Sequence, residues 1–387
     1  MAKAKPKRRV GPRASRSVQS ARPVESPEPP PSRLEDLLEE QARLDRQLVE
    51  MLNARAKTMV QIVQARRQAG QAAFVFAEEE EQIGRAVAAN PGPLPSEAIR
   101  AALREAVGGC RALVRELRVA FLGPLYTYSH LAAIAHFGQS VELAPVGSIA
   151  AVFEEVNRGQ SDFGLVPIEN STDGRIADTL DMFTRLPLKI CGEVELEIQH
   201  FLLGKCARDE VHEVYSKQQP LSQCRNWLAR HLPAARPIEV TSTSTAAQLA
   251  LEKPGAAAIA SLQAGMHYGL DVIAERIEDH PNNTTRFAVI GDHVSGPTGS
   301  DRTAILFQTE HRFGALADVL GIFKRNELNL TWIESFPVSD CARTYLFFVE
   351  VEGHQSERPM QRCFQSLRSR TLRLEILGSF PVAARRG

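Results

Sequence analysis

The chain has 387 residues, 43% of them hydrophobic and 24% charged, with Lys+Arg and Asp+Glu equal at 46 each. That length suits two or three domains of a globular protein. Zero formal net charge excludes a global field for nucleic acid or an anionic membrane, and no apolar run approaches the ~18 residues that span a bilayer. Six cysteines (Cys110, Cys191, Cys206, Cys224, Cys341 and Cys363) lie scattered, with no CxxC pair and no His cluster beside them. Such spacing fits reduced thiols in a cytoplasmic protein and offers no metal site.

Residues 1–32 are rich in Lys, Arg, Ser and Pro and nearly free of large apolar side chains. A segment of that kind cannot bury enough surface to offset its ordering entropy, so disorder is expected. It reads as a bacterial tail, with an organellar transit peptide as the other reading of its basic, acid-poor composition. From residue 33 to 117 the text is helical. Leu34, Leu37, Leu38, Leu44, Leu48, Met51, Leu52, Met59, Ile62 and Val63 recur mostly at three- and four-residue steps, with no Pro or Gly before Gly70. The pattern predicts one amphipathic helix about 50 Å long, followed by two shorter ones near 77–89 and 96–117. A stripe that long cannot be covered by two short helices, which predicts an intertwined homodimer, or a homotetramer built from it.

From 118 to 293 the period alternates between strands and helices, as in a mixed α/β sheet covered by helices on both faces. Strands are predicted at 119–122, 164–168, 189–197, 200–203, 213–215, 257–260 and 287–290. The stretch Gly164-Leu165-Val166-Pro167-Ile168-Glu169-Asn170-Ser171 is the most informative. An apolar run of strand length gives way to an acid, an amide and a hydroxyl, which would stand together at the mouth of a cleft. Three hydroxyl-rich turns precede helices: Thr127-Tyr128-Ser129, Ser216, and Thr241-Ser242-Thr243-Ser244-Thr245. Each reads as an N-cap, and each would also suit an anion held on free N–H groups. Residues 300–384 follow the order βαββαβ, which predicts a ferredoxin-like small domain.

On these residues the chain resembles the prephenate dehydratase family. Val119-Ala120-Phe121-Leu122-Gly123-Pro124 with Ser129-His130-Leu131 is similar to its first motif, the stretch ending in Ser171 to its second, Ser216 through Gln223-Cys224 to its third, and Thr285-Arg286-Phe287 to its fourth. Residues 300–384 resemble the ACT regulatory domain of the same enzymes, and residues 33–117 the chorismate mutase domain fused in front of many of them. The resemblance implies a two-lobed fold like that of periplasmic binding proteins. Its cleft would take prephenate, with the related arogenate as an alternative substrate, and yield phenylpyruvate, CO2 and water without a metal or organic cofactor. It also implies Thr285 as proton donor to the leaving hydroxyl or as its hydrogen-bond partner, with Glu169 and Asn170 orienting substrate or water. Thr127, Ser129, Ser171, Ser216, Gln223, Thr243, Ser244 and Arg286 would bind substrate. Arg286 reads equally well as a structural ion-pair partner. Cys224, His130 and His200 read as packing residues.

Two regions depart from the resemblance. In the helical part Arg55 remains of the mutase cations and Arg66 stands in place of a lysine, whereas Leu38, Glu78 and Val114 stand where an arginine, an arginine and a glutamine belong. A dianion would be repelled there, so a mutase-like domain with little activity is expected; the alternative is a fully bifunctional enzyme. In the C-terminal part Gly314-Ala315-Leu316 and Glu334-Ser335 match the phenylalanine-site motifs. Phe336 replaces the usual arginine, and Trp332 adds an aromatic. L-Phenylalanine is the expected effector. A ligand-binding module without turnover is the reading of a different class.

Overall fold

The computed structural model describes residues 34–71, 73–172, 174–293, 295–337 and 345–383. The basic tail and Cys341 lie outside them. The chain divides into two compact units, residues 1–53 and 54–387.

The first unit is the leading part of helix α1 (Leu34–Gln68), which runs unbroken as its spacing predicts. Glu35 and Asp36 sit in its first turn, where carboxylates complement the helix dipole. Glu40 pairs with Arg43 one turn on. Leu34, Leu37, Leu38, Leu44, Leu48, Met51 and Leu52 are all exposed.

In the second unit the end of α1 buries Met59 and Val63, with α2 (Phe76–Ala88) and α3 (Ser96–Ala112) beside it in sequence. Asn90 shapes the link between α2 and α3, accepting from the Gly92 N–H and donating to the Leu94 carbonyl. Helix α3 stops before residue 117 because the chain there is already extended: the Leu117 carbonyl accepts from Glu142 N.

The first lobe then forms: β1 (Arg118–Leu122), α4 (Tyr128–Phe137), β2 (Glu142–Val146), α5 (Ile149–Asn157), β3 (Phe163–Asn170), β4 (Gly174–Arg175), α6 (Ala177–Arg185) and β5 (Lys189–Glu197). The chain crosses at Ile198-Gln199-His200 into a second lobe. This comprises β6 (Phe201–Gly204), β7 (Glu213–Ser216), α7 (Gln218–Gln223), α8 (Arg225–His231), β8 (Arg236–Glu239), α9 (Thr243–Glu252), β9 (Ala256–Ala260), α10 (Leu262–Tyr268) and β10 (Asp271–Ala274). It returns as β11 (Thr284–Gly291). The first sheet has the order β2-β1-β3-β11-β5 with β4 on the end of β3, and the second β10-β6-β9-β7-β8. Strand β11 is therefore inserted antiparallel between β3 and β5. Strands β2, β4, β8 and β10, absent from the sequence expectation, all lie at sheet edges.

The C-terminal part is β12 (Asp301–Gln308), α11 (Ala315–Arg325), β13 (Leu330–Pro337), β14 (Tyr345–Glu352), α12 (Arg358–Arg368) and β15 (Arg373–Pro381), in the expected βαββαβ order. Its antiparallel sheet runs β13-β14-β12-β15. One face packs on Val319, Phe323, Met360 and Phe364 of α11 and α12. The opposite face puts Leu306, Phe348, Leu377 and Phe380 into one core with Val166, Ile168 and Ala288 of the first lobe.

Candidate active-site cleft

Strands β3 and β11 pair so that Thr285 lies opposite Asn170 and Arg286 opposite Glu169. Side chains of a strand alternate between faces, and here that alternation divides the labour. Thr285 and Phe287 line a cavity of about 230 Å³ between the lobes, while Arg286 turns to the opposite face of the sheet. Thr127, Ser129, Asn170, Gln223, Thr243 and Thr285 all reach this cavity, as the sequence predicts. Asn170 is 3% exposed. Its Oδ1 accepts from the backbone N–H of Thr172 at 3.0 Å, and its Nδ2 donates to Thr285 Oγ1 at 2.8 Å and to Asn283 Oδ1 at 3.0 Å. Among the described residues the O–H of Thr285 has no acceptor of its own.

Five expected site residues do not line the cavity. Ser216 is fully buried at the end of β7, and its hydroxyl donates to the Ile259 carbonyl at 2.6 Å, so it neither caps α7 nor faces the cleft. Ser244 sits inside the first turn of α9 and donates to Leu125 O; the residue that caps α9 is Ser242, which accepts from Thr245 N. Ser171 accepts from Thr284 N at 3.0 Å and so ties the end of β3 to the start of β11. Glu169 and Arg286 are turned away by the strand alternation and meet each other at 2.6 Å. Thr127 does cap α4, accepting from His130 N.

Behind the cavity Arg286 is held by three carboxylates: Glu169, Glu193 at 2.6 Å and Glu350 at 2.8 Å. Arg302 pairs with Glu193 at 3.0 Å, and the Trp332 ring lies 5.5 Å from the Arg286 guanidinium. Burial lowers the Arg286 pKa, but the charges of Glu350 and Glu193 outweigh it and raise the value. Burial pushes Glu350 up to about 7, against the pull of Arg286. Three acids face two guanidiniums here, so one acid is in excess, and the most buried one holds its proton longest. Glu193 and Glu350 carry no local motif; they come from a strand of the first lobe and a strand of the C-terminal sheet.

His130, expected to pack, accepts from the Tyr126 N–H at 3.0 Å and stacks on Phe121; burial lowers its pKa. Cys224 is fully buried in the second lobe, and burial raises its thiol pKa. Among the described residues no group of His, Cys, Asp and Glu could hold a metal ion, and no helix is long and apolar enough to cross a membrane.

Residues 119–295 match the family model for prephenate dehydratase, and residues 37–115 that for chorismate mutase type II. The bifunctional chorismate mutase/prephenate dehydratase of Aquifex aeolicus is 38% identical over 355 residues, 90% of this chain and 98% of the relative. That of Pseudomonas aeruginosa is 38% identical over 347 residues, 88% of this chain and 95% of the relative. A prephenate dehydratase from Arthrobacter aurescens, solved in complex with L-Phe, superposes with a TM-score of 0.65 at 29% identity, covering 70% of this chain and 92% of that one. This chain belongs to the bifunctional chorismate mutase/prephenate dehydratase family. Its dehydratase domain is a lyase that takes one proton and converts prephenate to phenylpyruvate, CO2 and water. The reading as a binding module without turnover is thereby set aside.

In the mutase domain of this family member the residual cations are engaged. Arg66 pairs with Glu78, the acid at a position where the resemblance expects an arginine, and Arg55 donates to Cys110 Sγ at 3.4 Å. The run Glu78-Glu79-Glu80-Glu81 does more than complement a helix dipole. Glu80 binds Arg100 and Arg104, Glu81 pairs with Arg85, and buried Glu79 lies 3.7 Å from buried Arg111. In the C-terminal domain Gly314 takes a left-handed conformation (φ 74°) at the N-cap of α11, ahead of Ala315 and Leu316. Arg175 of β4 reaches Glu334 at 3.1 Å and the Ser335 carbonyl at 2.7 Å.

Proposed function

We propose that Thr285 is the proton donor of the dehydratase and that Asn170 orients it. Hydroxide is a poor leaving group, so the departing ring oxygen must be protonated as the carboxylate leaves as CO2 and the ring becomes aromatic. The observation that carries this reading is the Asn170 Nδ2 bond to Thr285 Oγ1: it occupies the oxygen as an acceptor and leaves the O–H to donate into the cleft. Thr127, Ser129, Gln223 and Thr243 bind substrate around it, with the N-terminal turns of α4 and α9 taking the carboxylates. Glu169, Ser171, Ser216, Ser244 and Arg286 support the site from behind. The test is turnover of prephenate by Thr285→Val and Thr285→Ser. Valine should lower kcat by about 10²–10⁴-fold and serine should keep most of it; a fully active valine variant would remove Thr285 from the chemistry.

The pairing of Arg66 with Glu78 supports a second proposal, that the mutase domain (33–117) has lost most of its activity and serves assembly. Purified protein should consume prephenate at a rate at least about 10²-fold above its rate on chorismate, the scale of loss for removing charge stabilisation. Equal turnover of both substrates would restore the fully bifunctional reading. We further propose a cytoplasmic homodimer or homotetramer. Its dehydratase domain spans 118–293, and an ACT domain over 300–384 binds L-phenylalanine near Gly314, Ala315, Leu316, Glu334 and Ser335. The left-handed Gly314 and the L-Phe in the Arthrobacter relative support the effector.

A further inference from the structure

We propose that Tyr126, on the loop between β1 and α4, is a positioning residue of the dehydratase: it straps the first lobe to the second and so sets the spacing of the turns that hold substrate. The inference rests on Thr127, Ser129 and Thr243 as substrate-binding groups and adds a residue that does not line the cavity. Thr127 and Ser129 belong to the first lobe and Thr243 to the second. A substrate that touches all three is held well only while the lobes keep one spacing.

Tyr126 is held from both sides. Its N–H donates to His130 Nδ1 at 3.0 Å, which ties it to α4 of its own lobe. Its carbonyl accepts from the Ser261 hydroxyl at 3.1 Å, and the preceding Leu125 carbonyl accepts from the Ser244 hydroxyl at 2.5 Å. Ser261 caps α10 and Ser244 lies in the first turn of α9, so both hydroxyls come from the second lobe. The Tyr126 ring stacks on His267 of α10, with centroids 3.8 Å apart and 20° between the planes. It also packs against the second-lobe core that contains Ala246, Ala247 and Ala264.

The backbone at this residue is strained. Tyr126 has φ 64°, in the left-handed region that a residue with a Cβ enters only at a cost. Such a conformation persists where its surroundings over-determine it. Here the ring stack and the two carbonyl bonds do so, and all three reach across to the other lobe. With the ring lost and the Cβ kept, the residue relaxes toward an ordinary conformation, and the Leu125 and Tyr126 carbonyls turn away from α9 and α10. Thr127 follows directly in the chain and caps α4, so the α4 turn then shifts from its place opposite the α9 turn. Thr285 lies on β11 and is not displaced. The cost therefore falls on substrate binding rather than on proton donation. Among the described residues the Tyr126 hydroxyl makes no hydrogen bond, so the ring is the part that matters.

The test measures prephenate turnover by the full chain, well below its thermal midpoint. Tyr126→Phe keeps the ring, Tyr126→Gly removes both ring and strain, and Tyr126→Ala removes the ring but keeps the strain. KM should rise in that order: within about twofold of wild type for Phe, about threefold for Gly and about tenfold for Ala, the scale of one left-handed residue. In all three kcat should stay within about threefold. Adding His267→Ala to Tyr126→Ala should raise KM no further, because both changes remove one stack. An unchanged KM in the Ala variant, a Gly variant as poor as the Ala variant, or multiplicative effects in the double variant would each overturn the proposal. So would a fall in kcat that tracks a fall in thermal midpoint, the mark of a purely structural role. Thr243→Ala reads the substrate-binding assignment separately. A raised KM there beside a normal Tyr126→Ala removes this inference alone, whereas a normal KM there removes the assignment and the inference together.

Discussion

Glu350 shows burial and charge acting against each other at a single residue. It is 1% exposed in the C-terminal sheet, yet it touches the arginine adjacent to Thr285 in sequence. Its folded pKa of about 7 stands above its ordinary 4.5, so between those values the folded state binds more protons than the unfolded state. Stability from this group is therefore greatest below about pH 4.5 and is lost as pH rises through about 7. Glu350→Gln should flatten that part of the curve: its thermal midpoint should gain on wild type from pH 5 to pH 8. Parallel curves for the two proteins would assign the excess proton to another acid.

At the scale of elements, the closest approach is between β15 and β5. Gly378 has φ 138°, and a Cβ there would lie 2.3 Å from the Ile190 carbonyl oxygen. Gly378→Ala should destabilise the protein by at least about 1–3 kcal/mol, the usual scale for overpacking, read as a lower denaturant midpoint at unchanged slope. Strands β3, β9 and β11, which lie inside sheets, were legible in the sequence as the apolar runs that burial on both faces demands, and so was β5 at a sheet end. Three other end strands were not: β2 contains Pro145, β8 contains Pro237, and β10 opens on Asp271, residues that weaken a strand pattern and that an edge tolerates. In the site, Asn170, Gln223 and Thr285 were legible from local motifs. Glu193, Glu350 and Asn283 were not, because each takes its role from a partner more than twenty residues away. Ser216 and Ser244 were misread for the opposite reason: a hydroxyl beside a helix is a good cap on paper, but a backbone carbonyl stood nearer.

For the whole molecule, the exposed leucines of α1 carry the prediction of assembly. Leu44→Glu with Leu48→Glu should shift the sedimentation of the full chain toward monomer while leaving prephenate turnover within about threefold, because neither residue lines the cleft cavity. An unchanged sedimentation profile would mean that this stripe holds no second copy.

The core shared by Val166, Ile168 and Ala288 with Leu306, Phe348 and Phe380 bears on how such a protein is inherited and engineered. A sensor that hangs from a catalytic domain by a linker can be exchanged like a cassette. Here the C-terminal sheet supplies one wall of the lobe that carries Thr285. A gene cut after codon 295 would yield a lobe with an open apolar face and Arg286 deprived of Glu350. Transplanting this C-terminal domain into another protein would require transplanting the wall it completes.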